Sequence, residues 1–122
     1  MQRSSKNSKR EQRITYEIVV DAYDSEERAM GWFNYLEEHL QFPFRAKCIK
    51  PRAISPLRAG EKVTVVGLAP EEDCGSDMFV IIEWGERTLG VPLAQLEGTG
   101  TDKETRQAIA DWHYWVAQGY QF

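Results

Sequence analysis

The sequence has little cysteine and little histidine. Its two cysteines, Cys48 and Cys74, stand apart without a CxxC pair, and its two histidines, His39 and His113, lie near aromatic residues. This pattern excludes a disulfide framework and a zinc site of the usual Cys/His spacing. We therefore expect two reduced thiols in a cytoplasmic protein.

Long apolar runs are also missing. No stretch approaches the roughly 18 to 20 apolar residues that a membrane-spanning helix needs, and the basic N-terminus lacks the apolar segment of a secretory signal. At 122 residues, 42% of them hydrophobic and 11% aromatic, the chain can bury one core but is too short to expect two domains. We expect a single domain over residues 14–122.

Motifs of the common enzyme classes do not occur: there is no GxSxG, no P-loop and no GxGxxG. A lone histidine in the last turn of a helix more often complements the helix dipole than acts as a base. A domain this small also leaves little room for a saccharide cleft between paired carboxylates. We expect no enzymatic activity.

Charge is distributed unevenly along the chain. Residues 1–13 hold five basic residues against Glu11, a balance of +4, which leaves −8 on residues 14–122 because the net charge is −4. Short basic, Ser-rich ends are usually disordered, so we expect a disordered tail over residues 1–13. An acidic body repels nucleic acid and anionic membranes and attracts cations. We expect neither nucleic acid nor membrane as a partner.

A helix is predicted to begin at Asp24. Asp24 followed three residues later by Glu27 is a capping-box arrangement, and Pro43 disfavours helix beyond Phe42. The positions that repeat at helical spacing and are expected to face the core are Ala29, Phe33, Leu36 and Leu40. The preceding ITYEIVV alternates as a strand does, yet it leads directly into the helix and could itself be helical.

A last helix is predicted near the C-terminus. Thr101 and Glu104 form a second capping-box arrangement, and Gly119 is placed where a helix ends. Its predicted inner face holds Ile109, Trp112 and Val116, flanked by Thr105, Ala108 and Trp115.

The middle of the chain is predicted to be β structure. FRAKCIK, EKVTVVGLA, MFVIIEW and TLGVPL are short strand-like runs separated by turns, and VPLAQLEG resembles the strand, proline and helical turn that close SH3-like barrels. The predicted fold class is therefore α+β: a small antiparallel SH3-like β-barrel flanked by an N-terminal and a C-terminal helix.

Carboxylates are abundant in two segments that could bind a cation. Calcium takes six to eight oxygen ligands from carboxylates, carbonyls and water in flexible geometry. The candidate metal ligands are Asp21, Asp24, Glu26 and Glu27 in the first segment and Glu71, Glu72, Asp73 and Asp77 in the second. Neither segment has the acid, glycine and glutamate spacing of an EF-hand loop.

Simpler interpretations of both segments remain open. Helix capping and dipole complementarity account for Asp24 and Glu27, and the second segment could be a solvated hairpin loop. Glu38 lies about 16 Å along the helix from Glu27, at 1.5 Å per residue, so the two cannot share an ion. We interpret Glu37 and Glu38 as part of a solvated helix face.

A second function class is an interaction module without metal. In that alternative an SH3-like barrel presents aromatic side chains to a peptide, because aromatic-lined grooves recognise Pro-rich segments. The residues concerned are Trp84, Trp112, Trp115 and Tyr120.

The segments AMGWFNYLE, LQFPF and DWHYWVAQGY are specific in aromatic content and order. With them, the chain from about Ile14 to Phe122 resembles the CcbP family of cyanobacterial calcium-binding proteins. The resemblance implies a non-EF-hand calcium-binding domain, a barrel core with flanking helices, and a calcium buffer or sensor that binds Ca²⁺ through surface carboxylates. In cyanobacteria it implies calcium buffering that bears on heterocyst differentiation. The eight acidic residues of the two segments are the positions to which this binding would be carried over.

Overall fold

The computed structural model describes residues 7–75 and 77–120. The helices are α1 (Ser8–Arg13), a π-helical turn (Ile14–Ile18), α2 (Ser25–His39), α3 (Lys103–Ala117) and two 3₁₀ turns at Glu71–Cys74 and Leu93–Gln95. The strands are β1 (Phe44–Cys48), β2 (Lys62–Leu68), β3 (Phe79–Trp84), β4 (Arg87–Pro92) and β5 (Leu96–Gly98). No helix in the described part of the chain is both long and apolar enough to cross a membrane.

The five strands form one antiparallel sheet in the order β4-β3-β2-β1-β5. This confirms the α+β class. The predicted SH3-like barrel is not confirmed, because β4 and β5 are the two edges and do not pair with each other within the described residues. The 3₁₀ turn Leu93–Gln95 does carry the chain from one edge to the other, as VPLAQLEG indicated. The three residues of β5 pair with β1 alone among the described strands, so the sheet is not closed.

Helix α2 packs on the core through a face slightly rotated from the predicted one. Ala29, Leu36 and Leu40 are buried as expected, but Phe33 is only partly buried and Trp32 is fully buried instead. The larger indole of Trp32 fits the space between the helices, where its ring centroid lies 5.0 Å from that of Trp112 in an edge-on arrangement.

Helix α3 begins one residue later than predicted. The N-cap is Asp102, whose carboxylate accepts a hydrogen bond from the Thr105 backbone N–H at 2.8 Å, so the proposed Thr101 cap is wrong. Asp carries the same capping chemistry with a charge that suits the helix N-terminus. Val116 was predicted to face inward but is exposed, and Asp111 is buried on the inner face.

The N-terminal segment differs from the predicted disordered tail. Residues 1–6 lie outside the described part of the chain, but Ser8–Arg13 form α1. The hydroxyl of Tyr114, on α3, donates a 2.6 Å hydrogen bond to Glu11, and Arg10 and Arg13 pair with Asp111. The basic residues thus have an internal partner that composition alone could not reveal.

The π-helical turn that follows α1 lies directly against α2. Ile14–Ile18 are helical rather than a strand, with Ile14 and Ile18 buried, and the last two residues of ITYEIVV lie in the turn that follows. A Cβ atom at Gly31 of α2 would collide with the Ile18 carbonyl oxygen. Glycine is therefore required at this crossing, and the crossing fixes the chain just before Asp21.

Candidate metal site

The first acidic segment forms the N-terminus of α2. Asp24 accepts a hydrogen bond from the Glu27 backbone N–H at 2.8 Å, and the Glu27 side chain accepts one from the Tyr23 N–H at 3.3 Å. The predicted N-cap at Asp24 is therefore confirmed, but the reciprocal bond of a capping box is not, because Glu27 accepts from the Tyr23 N–H rather than from the Asp24 N–H. Each carboxylate gives one oxygen to the cap, and both residues are exposed, so the cap orients them without enclosing them.

Asp21 occupies the turn between the π-helical turn and α2. Its φ angle of +56° lies in the left-handed region, which aspartate tolerates better than most residues. Its side chain lines a depression of about 770 Å³ on the outer side of α2, together with Glu26 and Glu27. Three candidate residues of the first segment therefore share one open, acidic surface.

The second acidic segment is a 3₁₀ turn rather than an extended hairpin loop. Glu71, Glu72 and Asp73 are exposed, whereas Cys74 is buried with its thiol 3.9 Å from the carbonyl oxygens of Ala69 and Phe79. Burial is the main cause that raises the pKa of the Cys74 thiol. A thiol kept protonated anchors the turn to the core and is unsuited to bind metal.

Asp77 differs from the other acids of its segment. Its Oδ2 lies 3.1 Å from Nη1 of Arg52, and its Oδ1 accepts a hydrogen bond from the Met78 N–H at 2.8 Å. The carboxylate is only partly exposed and is already paired with a cation.

The two segments meet at one cleft of about 430 Å³. Glu26 of α2 lines it from one side, and Glu71 and Glu72 line it from the other, above a floor formed by Ala29 and Phe33. Within residues 7–75 and 77–120, the side chains of these three glutamates have no hydrogen bond or ion pair. We call Glu26, Glu71 and Glu72 the acidic cleft.

The acidic cleft fits a hard cation in the kind of donors it offers, because its polar side chains are three exposed carboxylates and the Ser25 hydroxyl, without a histidine or accessible thiol. It is not a ready-made cage. Among the described residues, no three His, Cys, Asp or Glu side chains stand close enough together to hold a metal ion. The eight predicted ligands are therefore not gathered into one set in this conformation.

Glu37 and Glu38, which were assigned to a solvated helix face, are both exposed. Glu38 lines the outer depression near His39, away from the acidic cleft.

The four aromatic residues of the alternative interaction module do not share one surface: Trp112, Trp115 and Tyr120 line a common pocket of about 930 Å³, but Trp84 does not. Trp112 and Trp115 are buried in the core, where both pack on Trp32, and Tyr120 packs on Trp115. Trp84 is at the end of β3, in a separate depression with Pro56 and Arg58. The core packing interpretation of the tryptophans therefore holds for α3.

A buried charge cluster centred on Asp111 was not predicted from the sequence. Its carboxylate is fully buried and is bound by Arg10 (3.1 Å), by Arg13 (2.8 and 2.9 Å) and by the hydroxyl of Tyr35 (2.6 Å). The hydrogen bond that Arg13 donates to Asp111 is the main cause that raises the pKa of Arg13. The available signal was an aspartate within the apolar face of a predicted helix.

The geometry defines a small α+β protein with an acidic, oxygen-donor surface beside the N-terminus of α2. Residues 12–116 match the family model Calci_bind_CcbP, which is described as calcium binding. The chain belongs to this family, and Ca²⁺ is the ion by which the family is defined.

Two solved structures are similar to the chain. The crystal structure of Anabaena CcbP has 41% sequence identity and a TM-score of 0.88, with 100% of both chains covered. A structure of a calcium-binding protein in its calcium-binding form has 41% identity and a TM-score of 0.85, with 95% of both chains covered. No curated protein matches the chain.

Proposed function

We propose that this protein binds Ca²⁺ at its acidic cleft and acts as a non-EF-hand calcium buffer. The observation that supports this proposal is that Glu26 faces Glu71 and Glu72 across one cleft although about 45 residues separate them in sequence. An ion between the two segments would neutralise carboxylates that otherwise repel each other.

The remaining five predicted ligands have graded roles in the proposal. Asp73, Asp21 and Glu27 are exposed and near the acidic cleft or the adjoining depression, so they can supply further oxygens. Asp24 is held by its cap, and Asp77 must leave or share its arginine. Carbonyl oxygens and water would complete the coordination, as calcium sites commonly require.

The packing of the segments that carry the proposed ligands favours a buffer over a sensor. Glu26 is on a helix whose inner face is buried in the core, and Glu71 and Glu72 are on a turn anchored by Cys74. Ion binding therefore changes charge more than backbone shape. Near-ultraviolet circular dichroism of the Trp32, Trp112 and Trp115 cluster should change little with calcium, and a large change would indicate a sensor instead.

Other parts of the proposal follow from charge and composition. Residues 14–122, with α1 packed on them, act as one calcium-binding domain, without enzymatic activity, and with neither nucleic acid nor membrane as partner because the body of the chain is acidic. The two buried, unbonded cysteines support a cytoplasmic location.

The test compares two triple variants that change net charge equally. Glu26→Gln/Glu71→Gln/Glu72→Gln removes the acidic cleft, and Glu37→Gln/Glu83→Gln/Glu86→Gln removes three exposed carboxylates elsewhere. Calcium titration by calorimetry should show at least about a tenfold loss of affinity in the first variant and only a few-fold loss in the second. Equal losses would indicate a diffuse counter-ion cloud and overturn the proposal.

Selectivity provides a second readout. Calcium accepts irregular oxygen geometry, whereas magnesium requires a near-ideal octahedron and gives up its water reluctantly. Calcium should therefore raise the melting temperature of the protein more than equal magnesium, because an ion that binds only the folded state stabilises it.

A further inference from the structure

Arg52 is the one cation that contacts a predicted calcium ligand among the described residues. Its Nη1 lies 3.1 Å from Oδ2 of Asp77, and the two side chains are 38% and 22% exposed. Partial burial of Asp77 weakens solvent screening, so this contact is stronger than a fully exposed pair.

The position of Arg52 does not depend on the ion pair alone. The loop between β1 and β2 that carries it is anchored by Leu57, which is buried, and the Gly60 N–H donates a 2.7 Å hydrogen bond to the Cys48 carbonyl. The Arg52 carbonyl accepts a hydrogen bond from the Ser55 N–H. The loop thus holds a guanidinium beside the acidic segment, and a change of the side chain leaves these backbone contacts in place.

Asp77 can serve either cation but not both at full strength. Its Oδ1 is held by the Met78 N–H, which fixes the direction of the carboxylate. A divalent ion bound to this carboxylate would lie within a few ångströms of the guanidinium, where like charges repel strongly. Calcium can therefore use Asp77 only as Arg52 moves away.

We propose that Arg52 is a built-in competitor of Ca²⁺ that occupies Asp77 in the calcium-free protein and lowers its calcium affinity. This inference rests on the proposed function, since it takes Asp77 as one ligand of the calcium-bound state. The arginine acts through Asp77 and sets the affinity of the site. It also stabilises the empty state, because it neutralises one of the clustered acids when no ion is present.

The test compares Arg52→Gln with Arg58→Gln. Both arginines are exposed, lie in the same loop and carry one positive charge, but only Arg52 contacts the acidic segment. Calorimetric titration should show calcium binding about two- to fivefold tighter in Arg52→Gln, which is the factor expected when a partly exposed ion pair no longer has to be broken. Arg58→Gln should change affinity by less than about twofold at 0.15 M salt.

The salt dependence of calcium affinity distinguishes a direct contact with Asp77 from a general effect of protein charge. Raising NaCl to 0.5 M should abolish the small Arg58→Gln effect and leave most of the Arg52→Gln gain, because a direct contact is screened less than a distant charge. The melting temperature of the calcium-free Arg52→Gln protein confirms that the variant is folded.

A double-variant cycle with Asp77→Asn decides the mechanism. If Arg52 acts through Asp77, Arg52→Gln in the Asp77→Asn background should change calcium affinity by no more than Arg58→Gln does. A gain that persists there, or no gain in either background, overturns the inference. If Asp77→Asn weakens binding while Arg52→Gln has no effect, only the competition fails. If the acidic-cleft variant has the same affinity as its matched control, it is the proposed function that fails.

Discussion

Carboxylates have opposite environments in two regions of this molecule. Asp111 is fully buried and receives hydrogen bonds from three side chains, whereas Glu71 and Glu72 are exposed and have no side-chain partner within the described residues. The first carboxylate is fully committed to the protein, and the second pair is available to something outside it. The contrast shows that partner and burial, rather than residue type, distinguish a structural carboxylate from one that is exposed to a ligand.

The energetic reason lies in desolvation. A buried carboxylate must recover from the protein what it loses in water, and Asp111 does so from two arginines and a phenol. The exposed glutamates keep their water but repel one another, which mildly destabilises the calcium-free protein. Under the proposed function a cation would add stability at the acidic cleft, whereas the buried Asp111 offers it no access.

Asp111→Asn is expected to have the largest effect. It removes the charge on which Arg10 and Arg13 converge, and loss of one partner of a buried pair costs several kcal/mol. Because both arginines can reach water, we expect the free energy of unfolding to fall by about 3 kcal/mol. Urea unfolding measures this loss, and calcium affinity measured by titration should be unchanged. A loss below about 1 kcal/mol would show that the cluster is not a structural anchor.

Tyr35→Phe tests the same cluster through pH. Burial, and then the hydrogen bond to Asp111, raise the pKa of Tyr35 above its ordinary value of 10.0. The unfolded chain therefore loses this proton first as pH rises past about 10, so the folded state binds more protons and stability falls.

The wild type should consequently lose about 1 kcal/mol more than Tyr35→Phe between pH 9 and pH 11. Below pH 9 the variant should be less stable by about 2 kcal/mol, since a hydrogen bond to a buried charge is lost. Urea unfolding at each pH gives both quantities. Parallel pH profiles for the two proteins would show that Tyr35 is not protected from ionisation.

Local patterns in the sequence predicted much of this fold. The Asp24 cap on the Glu27 N–H, the alternating strands and the turn in VPLAQLEG each depend on residues within a few positions of one another. The eight candidate ligands were placed on two segments by the same local reasoning.

Contacts between residues that are distant in sequence could not be predicted from local patterns. Arg13 and Asp111 are 98 residues apart, and Glu26 and Glu71 come together only because α2 packs beside the 3₁₀ turn. The N-terminal segment was predicted to be disordered from its basic, Ser-rich composition, which does not reveal that its arginines pair with the distant Asp111. The barrel was predicted from the number of strands and their turns, which do not reveal that β4 and β5 remain the two separate edges of the sheet.

Glu71→Gln/Glu72→Gln should behave in the opposite way to Asp111→Asn. Without calcium, the free energy of unfolding should stay the same or rise by a few tenths of a kcal/mol, because repulsion between exposed carboxylates is relieved. With calcium, the wild type should gain stability and the variant should gain much less. Thermal melts with and without calcium measure both effects. A calcium-induced gain equal to that of the wild type would remove the 3₁₀ turn from the site.

Asp24→Asn should have the smallest effect on stability and is the most discriminating, because Asp24 stands between the two kinds of carboxylate. It is exposed, as are the cleft glutamates, yet it is bonded to the Glu27 N–H. Asparagine keeps an acceptor for that N–H and caps helices about as well as aspartate, so the free energy of unfolding should change by less than about 0.5 kcal/mol. If the second oxygen of Asp24 binds calcium, the lost charge should weaken calcium affinity several-fold although the helix is intact.

The control is Asp102→Asn, which removes the corresponding cap carboxylate of α3 far from the acidic cleft and should leave calcium affinity unchanged. Equal affinities of both variants and the wild type would assign Asp24 to the cap alone, and would leave Glu26 as the principal contribution of α2 to the site.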